Sequence, residues 1–255
     1  KGQILVTWHA DITKQTLALF FYRPLLHWFL RKADTIIATS PNIIKSSPHL
    51  KKFKEKTTVI PLGIEPNNYI HNHLPSPHNS RYALFVGRFI YYKGVIELIE
   101  AAKKTSLNLI MIGEGPLKET ILDKGESLIK NHQLTILPFQ TDDVLKSYFK
   151  HCEFLILPST HASEAFGIVQ LEAMIYSKPV ISTNLPTGVP YVNKHNETGL
   201  IVEPKNIEAL SNAMNSLWNN PETTKTLGQN AYIRCTTLFT QHQMLTKTTE
   251  IIKKM

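Results

Sequence analysis

The amino-acid sequence predicts an α/β protein built on doubly wound parallel sheets. Short apolar runs without polar alternation, such as ALFV and FLIL, recur along the chain and suit strands that are buried on both faces of a sheet. Each run ends at a glycine, a proline or a short polar loop, and a segment with apolar residues at helical spacing follows it. Strands that alternate with helices in this way form parallel sheets covered by helices.

The first third of the chain predicts three strands. The first of them, Ile4–Trp8, leaves His9 at its end, and the runs DTIIATS and TTVIPLGI give the other two. Between these last two runs, the segment PNIIKSSPHLKKF predicts a short helix. The order of elements is again that of a doubly wound domain.

An aromatic-rich segment, residues 13–32, predicts a helix that bends or restarts at Pro24. The apolar side chains that we expect in the core are those of Leu25, Leu26 and Phe29. The segment contains no run of about 18 apolar residues, so it is not expected to span a bilayer. Core packing is the favoured interpretation, and a monotopic membrane contact through the aromatics, Arg31 and Lys32 is the alternative.

Residues 66–80 carry three prolines and three histidines among asparagines and serines, which predicts an inter-domain linker. Beyond the linker, further apolar runs alternate with helical segments, and we expect one parallel sheet of about six strands. The predicted strands lie near Tyr82, Leu107, Leu134, Phe154, Pro179 and Gly199.

Composition narrows the classes of protein and of partner. The formal charge is +8, and residues 1–80 hold ten Lys or Arg against four Asp or Glu, so the basic character is concentrated in the first third. That charge suits an anionic membrane surface or a phosphate-linked acceptor, or else an ordinary lysine-rich surface. Nucleic acid is not expected, because no nucleic-acid-binding module accompanies the charge.

The cysteines and the start of the chain bear on the compartment. Two cysteines, Cys152 and Cys235, lie far apart without a motif, so neither a disulfide framework nor a metal site is predicted. No signal peptide is visible. We therefore expect a cytoplasmic protein, with a peripheral position on the inner face of the cell membrane as a further option.

The stretch Cys152–Ile175 predicts a strand, a loop and a helix that begins near Phe166 or Gly167. The N–H groups at the start of such a helix and the positive end of its dipole favour an anion, and phosphate is the obvious one. The N–H groups in question belong to Gly167, Ile168 and Val169.

Two carboxylates flank this predicted anion site. Glu164 lies in the loop and Glu172 lies about one turn inside the helix. Hydroxyl groups of a sugar or a ribose would donate hydrogen bonds to them and offset the repulsion of a phosphate. The alternative is a solvated helix residue at Glu172 and a capping charge at Glu164.

A second stretch, Tyr82–Gly94, repeats the arrangement of strand, glycine-containing loop and helix. Its loop follows Gly87 and carries Arg88 and Lys93, both of which can contact a diphosphate. Two cations beside a helix N-terminus would stabilise the charge of a nucleoside-diphosphate leaving group without a metal ion. The sequence contains no Asp-x-Asp pair and no His/Cys cluster, so neither a metal nor a cofactor is expected.

Five ordered segments resemble glycosyltransferase family 4, in the nucleotide-binding half of a GT-B enzyme. They are VGRFIYYKG, IGEGPLKE, SEAFGIVQLEAM, SKPVIST and HNETGLIVEP, and the similarity covers most of Tyr82–Pro204. The resemblance implies a GT-B fold with two Rossmann-like doubly wound domains. It also implies retaining, metal-independent transfer of a sugar from a nucleotide donor.

The resemblance assigns roles to residues of both halves. Glu164 would hold the hydroxyls of the donor sugar as a catalytic residue, and His9 would approach that sugar from the opposing domain as the second one. Glu172 would bind the ribose hydroxyls. The donor nucleotide and its diphosphate would be bound by Gly87, Arg88, Lys93, Phe166, Gly167, Ile168, Val169 and Glu172.

The same resemblance gives a division into domains. Residues 1–76 would form a partial N-terminal, acceptor-side domain with the linker, because about 65 residues are roughly half of such a domain. Residues 77–235 would form the domain that binds the nucleotide sugar. Residues 236–255 would form a helix that crosses back to the N-terminal domain.

The expected function is a retaining hexosyl-type glycosyltransferase in cell-surface polysaccharide assembly. Its donor would be a GDP- or UDP-linked sugar, and its acceptor a glycan or a lipid-linked sugar. Two alternatives stay open: a non-catalytic module that binds nucleotide sugars, and a GT-B nucleotide-sugar epimerase.

Overall fold

The computed structural model describes residues 2–11, 16–70 and 74–255, and for residues 16–20 and 70 it describes the backbone only. Its first part contains a small parallel sheet in the order β1-β2-β3. The strands are β1 (Leu5–Trp8), β2 (Thr35–Ala38) and β3 (Thr57–Val59). Helices α1 (Thr16–Lys32) and α2 (Pro41–Ser46) and a 3-10 segment (Leu50–Lys56) connect them. The three strands predicted here are confirmed, and residues 13–15 of the predicted first helix lie outside the described ranges.

Helix α1 is predicted to bend or restart at Pro24 and to bury three apolar side chains. It continues through Pro24 without a restart, and a bend at this residue stays a prediction. Leu26 is buried as predicted, but Leu25 and Phe29 are 56% and 42% exposed, so their predicted burial is wrong. The reason is that α1 packs only one face against the small sheet. No helix in the described ranges combines the length and the apolar character needed to cross a bilayer.

The second part contains a six-stranded, all-parallel sheet in the order β6-β5-β4-β7-β8-β9. Its strands are β4 (Ala83–Val86), β5 (Leu109–Ile112), β6 (Leu134–Leu137), β7 (Leu155–Leu157), β8 (Val180–Thr183) and β9 (Gly199–Val202). The predicted parallel sheet of about six strands is confirmed.

Helices cover both faces of this sheet. They are α3 (Asn67–Ile70), α4 (Val95–Ala102), α5 (Lys118–Lys124), α6 (Glu126–Lys130), α7 (Asp142–His151), α8 (Val169–Met174), α9 (Val189–Val192), α10 (Ile207–Asn219) and α11 (Pro221–Leu238). The last helix of the chain is α12 (Gln241–Lys254). Alternate residues of one strand enter opposite cores: Phe85 packs on one face, and Leu84 packs on the other. Strands β4, β5, β7 and β8 are buried throughout, which explains their unbroken apolar runs.

The chain returns to its first part just before α12. The Ile64 N–H donates to Phe239 O at 2.9 Å, and the Gln241 N–H donates to Ile64 O at 2.8 Å. The predicted linker is partly structured, since it begins with α3, whose Tyr69 ring packs edge-on against Tyr176 of the second part. The division into domains at these positions stays a prediction.

Candidate functional site

The loops after β4 and β7 meet at one edge of the large sheet. The two strands are parallel neighbours, so their carboxyl ends lie side by side. The Thr160 N–H donates to Tyr92 O at 2.7 Å, which joins the loops directly. Gly94 has φ +68°, and a Cβ there would lie 1.9 Å from Pro158 O. Only glycine allows this approach, which brings the two predicted loops together.

A buried ion pair connects the two loops. Lys93 Nζ lies 2.7 Å from Glu164 Oε2, and the two side chains are only 14% and 10% exposed. Ser159 Oγ donates a hydrogen bond to the same carboxylate oxygen at 2.8 Å. Glu164 Oε1 accepts no hydrogen bond from the part of the chain that the structure describes. One oxygen of the carboxylate is therefore held in place, and the other is open to a ligand.

The residues before α8 form a short turn. Gly167 has φ +72°, a left-handed conformation that excludes it from a right-handed helix. The helix therefore begins at Val169, later than predicted. Within the described ranges, the N–H groups of residues 167–169 donate to no protein acceptor. Such groups are the donors that an anion needs.

Phe166 does not face these donors with its ring. The ring is 1% exposed and packs edge-on against Phe239, at the point where the chain returns to its first part. Any contact of this residue with a donor would therefore come from its backbone.

Arg88 and Gly87 lie on the β4 side of the same edge. The Arg88 side chain is exposed, and no carboxylate of the described residues lies within 4.0 Å of it. A Cβ at Gly87 would lie 3.6 Å from Lys93 Cε, so the lysine side chain passes close over this glycine. The positive charge at this edge thus comes from one buried and one exposed cation.

Glu172 lies on α8 in contact with the linker. Tyr69 Oη donates to Glu172 Oε1 at 3.4 Å. Burial raises the pKa of Glu172, against the opposing effect of this hydrogen bond, and burial also raises the pKa of Tyr69. Sequence reasoning missed Tyr69, because the segment around it was interpreted as a linker and nothing in NNYI indicates a carboxylate partner.

His9 comes from the first part of the structure, just beyond β1. Its residue surface is largely exposed. The pKa of His9 is nevertheless lowered, because partial desolvation of the imidazole disfavours the charged form more than the negative charge of Glu164 favours it. The residues after it, Ala10 and Asp11, line a cavity of about 150 Å³ together with Ala162 and Ala165 of the β7 loop. The charge of Glu164 acts on His9, so the structure places these two residues near each other, beside the cavity that the neighbouring residues line.

A second polar cluster lies beside the ion pair. His161 Nδ1 lies 3.0 Å from Ser163 Oγ, which in turn lies 3.3 Å from Tyr91 Oη. Sequence reasoning missed these residues as well as Ser159, since a serine or a histidine in a loop carries no spacing signal. Their positions follow from the meeting of the two loops.

The fold is of the GT-B type, which solved structures of glycosyltransferases share. The solved structure of a glycosyltransferase from Rickettsia africae superimposes on this chain with a TM-score of 0.79 and 22% identity. The match covers 98% of this chain and 70% of the Rickettsia chain. Anabaena HepE in complex with UDP matches 99% of this chain and 72% of its own, with 21% identity and a TM-score of 0.84. The chain belongs to the family of glycosyl transferases group 1, which it matches over residues 67–234.

Two bacterial relatives are similar along almost the whole chain. O-antigen chain mannosyltransferase C of Escherichia coli is 36% identical over 250 residues, which cover 96% of this chain and 67% of that protein. D-rhamnosyltransferase WbpZ of Pseudomonas aeruginosa is 36% identical over 243 residues, which cover 92% of this chain and 63% of that protein. The chain thus spans about two thirds of the length of these relatives.

Proposed function

We propose that the protein is a retaining glycosyltransferase of cell-surface polysaccharide assembly, such as that of O-antigen, lipopolysaccharide or capsule. It would move a hexose-type sugar from a GDP- or UDP-linked donor to a glycan or a lipid-linked sugar. The family and the names of the two relatives support the reaction class. The observation that carries the proposal for the site is the contact of 2.7 Å between Lys93 and Glu164 at the meeting of two strand-end loops.

Lys93 and Arg88 would bind the donor diphosphate. When the bond between the anomeric carbon and the phosphate oxygen breaks, negative charge builds on the departing diphosphate. A lysine ammonium, an arginine and the N–H groups of residues 167–169 would stabilise that charge. The protein thus supplies the positive charge itself, and we propose a metal-independent reaction.

Glu164 would hold the donor sugar. Its Oε2 is fixed by Lys93 and Ser159, which leaves Oε1 in position to accept hydrogen bonds from sugar hydroxyls. Its negative charge would also stabilise the positive charge that develops at the anomeric carbon. Glu172 would accept hydrogen bonds from the ribose, in place of the one it now accepts from Tyr69.

His9 would approach the sugar from the opposite side of the cleft. Its lowered pKa favours the neutral imidazole, which both donates and accepts hydrogen bonds. The acceptor oxygen then bonds to the anomeric carbon, and its proton passes to the departing phosphate oxygen. The products are the glycosylated acceptor and the nucleoside diphosphate.

The site assignment is tested by a transfer assay on the intact protein. We expect Lys93→Ala and Glu164→Ala each to lower kcat/KM by at least about 100-fold, the usual effect of removing one electrostatic stabiliser. The matched control is the surface pair Lys103–Glu100, whose N–O distance is 3.0 Å. Alanine at either of these two positions should leave the rate unchanged. Unchanged rates in Lys93→Ala and Glu164→Ala would contradict the assignment of the site.

The donor and the two alternatives are separated by binding and product analysis. A thermal-shift panel with UDP, GDP, ADP and their sugars identifies the base, because a ligand at 100 times its Kd stabilises the native state by about 2.7 kcal/mol. Calorimetry that shows binding without turnover would favour the non-catalytic module. A nucleotide sugar of unchanged mass but altered stereochemistry would favour the epimerase.

The proposal puts the reaction at the inner face of the cell membrane, with the protein in the cytoplasm and bound peripherally. A lipid-linked acceptor has to be reached at a membrane surface. The ten Lys or Arg among residues 1–80, against four Asp or Glu, support contact with an anionic surface.

A further inference from the structure

One face of helix α1 carries large apolar side chains in solvent. Residues 21, 22, 25, 28 and 29 share this face, because they recur at helical spacing. Their exposed fractions are 79% for Phe21, 45% for Tyr22, 56% for Leu25, 54% for Trp28 and 42% for Phe29. We call this set the α1 face. A contiguous apolar surface of this kind marks a site of interaction.

A basic cleft of about 530 Å³ adjoins the α1 face. The cleft, called here the α1 cleft, is lined by Phe21, Arg23, Pro24, His27, Arg31 and Lys52. No carboxylate of residues 2–11, 16–70 or 74–255 lies within 4.0 Å of its three cationic groups. The cleft therefore offers uncompensated positive charge beside apolar surface.

His27 reports on the electrostatics inside the α1 cleft. Burial lowers its pKa, and the nearby groups of His49, Arg23, Lys52 and Arg31 lower it further. The side chains of Arg23, Lys52 and Arg31 carry the positive charge that disfavours a protonated His27. An anion in the cleft would be attracted by the same groups.

The floor of the cleft is tied to the core of the first sheet. His27 Nε2 lies 3.2 Å from Nδ1 of His49, which is 3% exposed and packs against Trp8. His27 also packs edge-on against Phe53. The three cations are thus carried by elements that are fixed to one another, and no rearrangement is required to form the cleft.

We propose that the α1 cleft and the α1 face together form a membrane-docking site. The phosphate of an anionic phospholipid would lie between Arg23, Arg31 and Lys52, and the aromatic side chains and Leu25 would insert among the acyl chains. The inference deepens the proposed function, on which it rests for the lipid-linked acceptor, by naming the surface that meets the membrane.

Charge complementarity favours a bilayer as the occupant. Interfacial helices combine an apolar, aromatic face with Arg and Lys at its border, and each basic residue near an anionic surface adds to the affinity. The α1 face meets basic residues at the α1 cleft, where Phe21 lies beside Arg23 and Arg31, and at the end of the helix, where Lys32 stands. The first 80 residues carry most of the net positive charge of the chain, so the field around the site has the same sign.

Trp28 gives a direct readout of insertion. The intact protein is mixed in 0.1 M NaCl with vesicles of phosphatidylcholine alone or with 30% phosphatidylglycerol. We expect at least tenfold tighter binding to the anionic vesicles and quenching of tryptophan fluorescence by brominated acyl chains. The variant Trp28→Phe should keep the binding and lose the quenching, although Trp8 and Trp218 remain.

The cations and the apolar residues have matched controls. The triple variant Arg23→Gln, Arg31→Gln, Lys52→Gln should bind anionic vesicles about 100-fold more weakly. Neutralising three exposed lysines of the second part should change the affinity less than threefold, and those residues are Lys124, Lys130 and Lys225. Leu25→Ser should weaken binding, whereas Ile252→Ser, at a residue 57% exposed on α12, should not.

Three results would overturn the proposal. Equal affinity for neutral and anionic vesicles would exclude the headgroup site, and full affinity of the triple variant would exclude the cleft. A dimer in light scattering that Leu25→Ser dissociates, without vesicle binding, would assign the α1 face to a second copy of the chain. The donor thermal shift separates the two proposals, because docking variants should retain it and Lys93→Ala should not.

Discussion

Two charged side chains are buried and paired in the loop pair after β4 and β7, whereas those of helix α1 are exposed and have no carboxylate partner among the described residues. In the loop pair, Lys93 and Glu164 are buried and lie 2.7 Å apart, with Ser159 on the same oxygen. On α1, cations and aromatic side chains of one helix stand together in solvent. The loop pair holds a few charged groups in a fixed geometry, and the α1 face with its cleft offers a broad surface that is basic and apolar.

The difference shows what each surface can bind. A buried, oriented pair suits a small ligand that is placed atom by atom, because its groups need no reorganisation when the ligand enters. An exposed basic and apolar face suits an extended partner whose exact position matters little. Three sets of variants test the contrast, in order of decreasing expected effect.

The largest effect is expected at Gly94, which holds the two loops together. A side chain there would combine a left-handed backbone with a Cβ 1.9 Å from Pro158 O. Gly94→Val should lower the free energy of unfolding by about 4 kcal/mol, measured by urea denaturation. Gly2→Val is the control, since a Cβ at Gly2 has no atom within 4 Å. Equal stability of the two variants would show that the loops do not depend on this contact.

A smaller effect is expected inside α1, and it tests which side of the helix is buried. Leu30 is 0% exposed and Leu25 is 56% exposed on the same helix. Leu30→Ala should lower the free energy of unfolding by about 3 kcal/mol. Leu25→Ala should change it by less than about 0.5 kcal/mol. A large loss for Leu25→Ala in the intact protein would mean that protein, and not a membrane, covers the α1 face.

The smallest effect concerns the pH dependence of Glu172. Burial raises its pKa in the folded protein, so folding is favoured when it is protonated, and this contribution is lost as the pH rises through the folded-state value. Glu172→Gln should therefore raise the Tm at pH 7. The gain should vanish below pH 4.5, the ordinary value, where the carboxyl is protonated in both states.

The same variant separates stability from binding. If Glu172 holds the ribose, Glu172→Gln should weaken donor binding at pH 7 while it stabilises the chain, which is a common relation at binding sites. Tyr69→Phe, which removes only the hydrogen bond to Glu172, is the comparison. A Tm of Glu172→Gln that falls at pH 7 would show that the carboxylate stabilises the fold.

The sequence by itself determined most of the fold. All six strands of the large sheet were predicted, because strands buried on both faces read as unbroken apolar runs. It was less reliable where only one face of an element is covered: Leu25 and Phe29 belong to an apolar helix, and nothing local says which side meets the core. Helical periodicity likewise missed the later start of α8, which the left-handed backbone at Gly167 decides.

For the candidate site, the sequence determined which residue types stand at the ends of strands, and the tertiary structure decided which of them meet. Lys93 and Glu164 are 71 residues apart and become partners only because β4 and β7 are neighbours. The contacts of Ser159 and Tyr69 and the proximity of His9 to Glu164 depend on how the loops pack and on how the first part packs against the second. The physical reason is that strand formation is encoded locally, whereas the contacts of a loop side chain depend on distant segments.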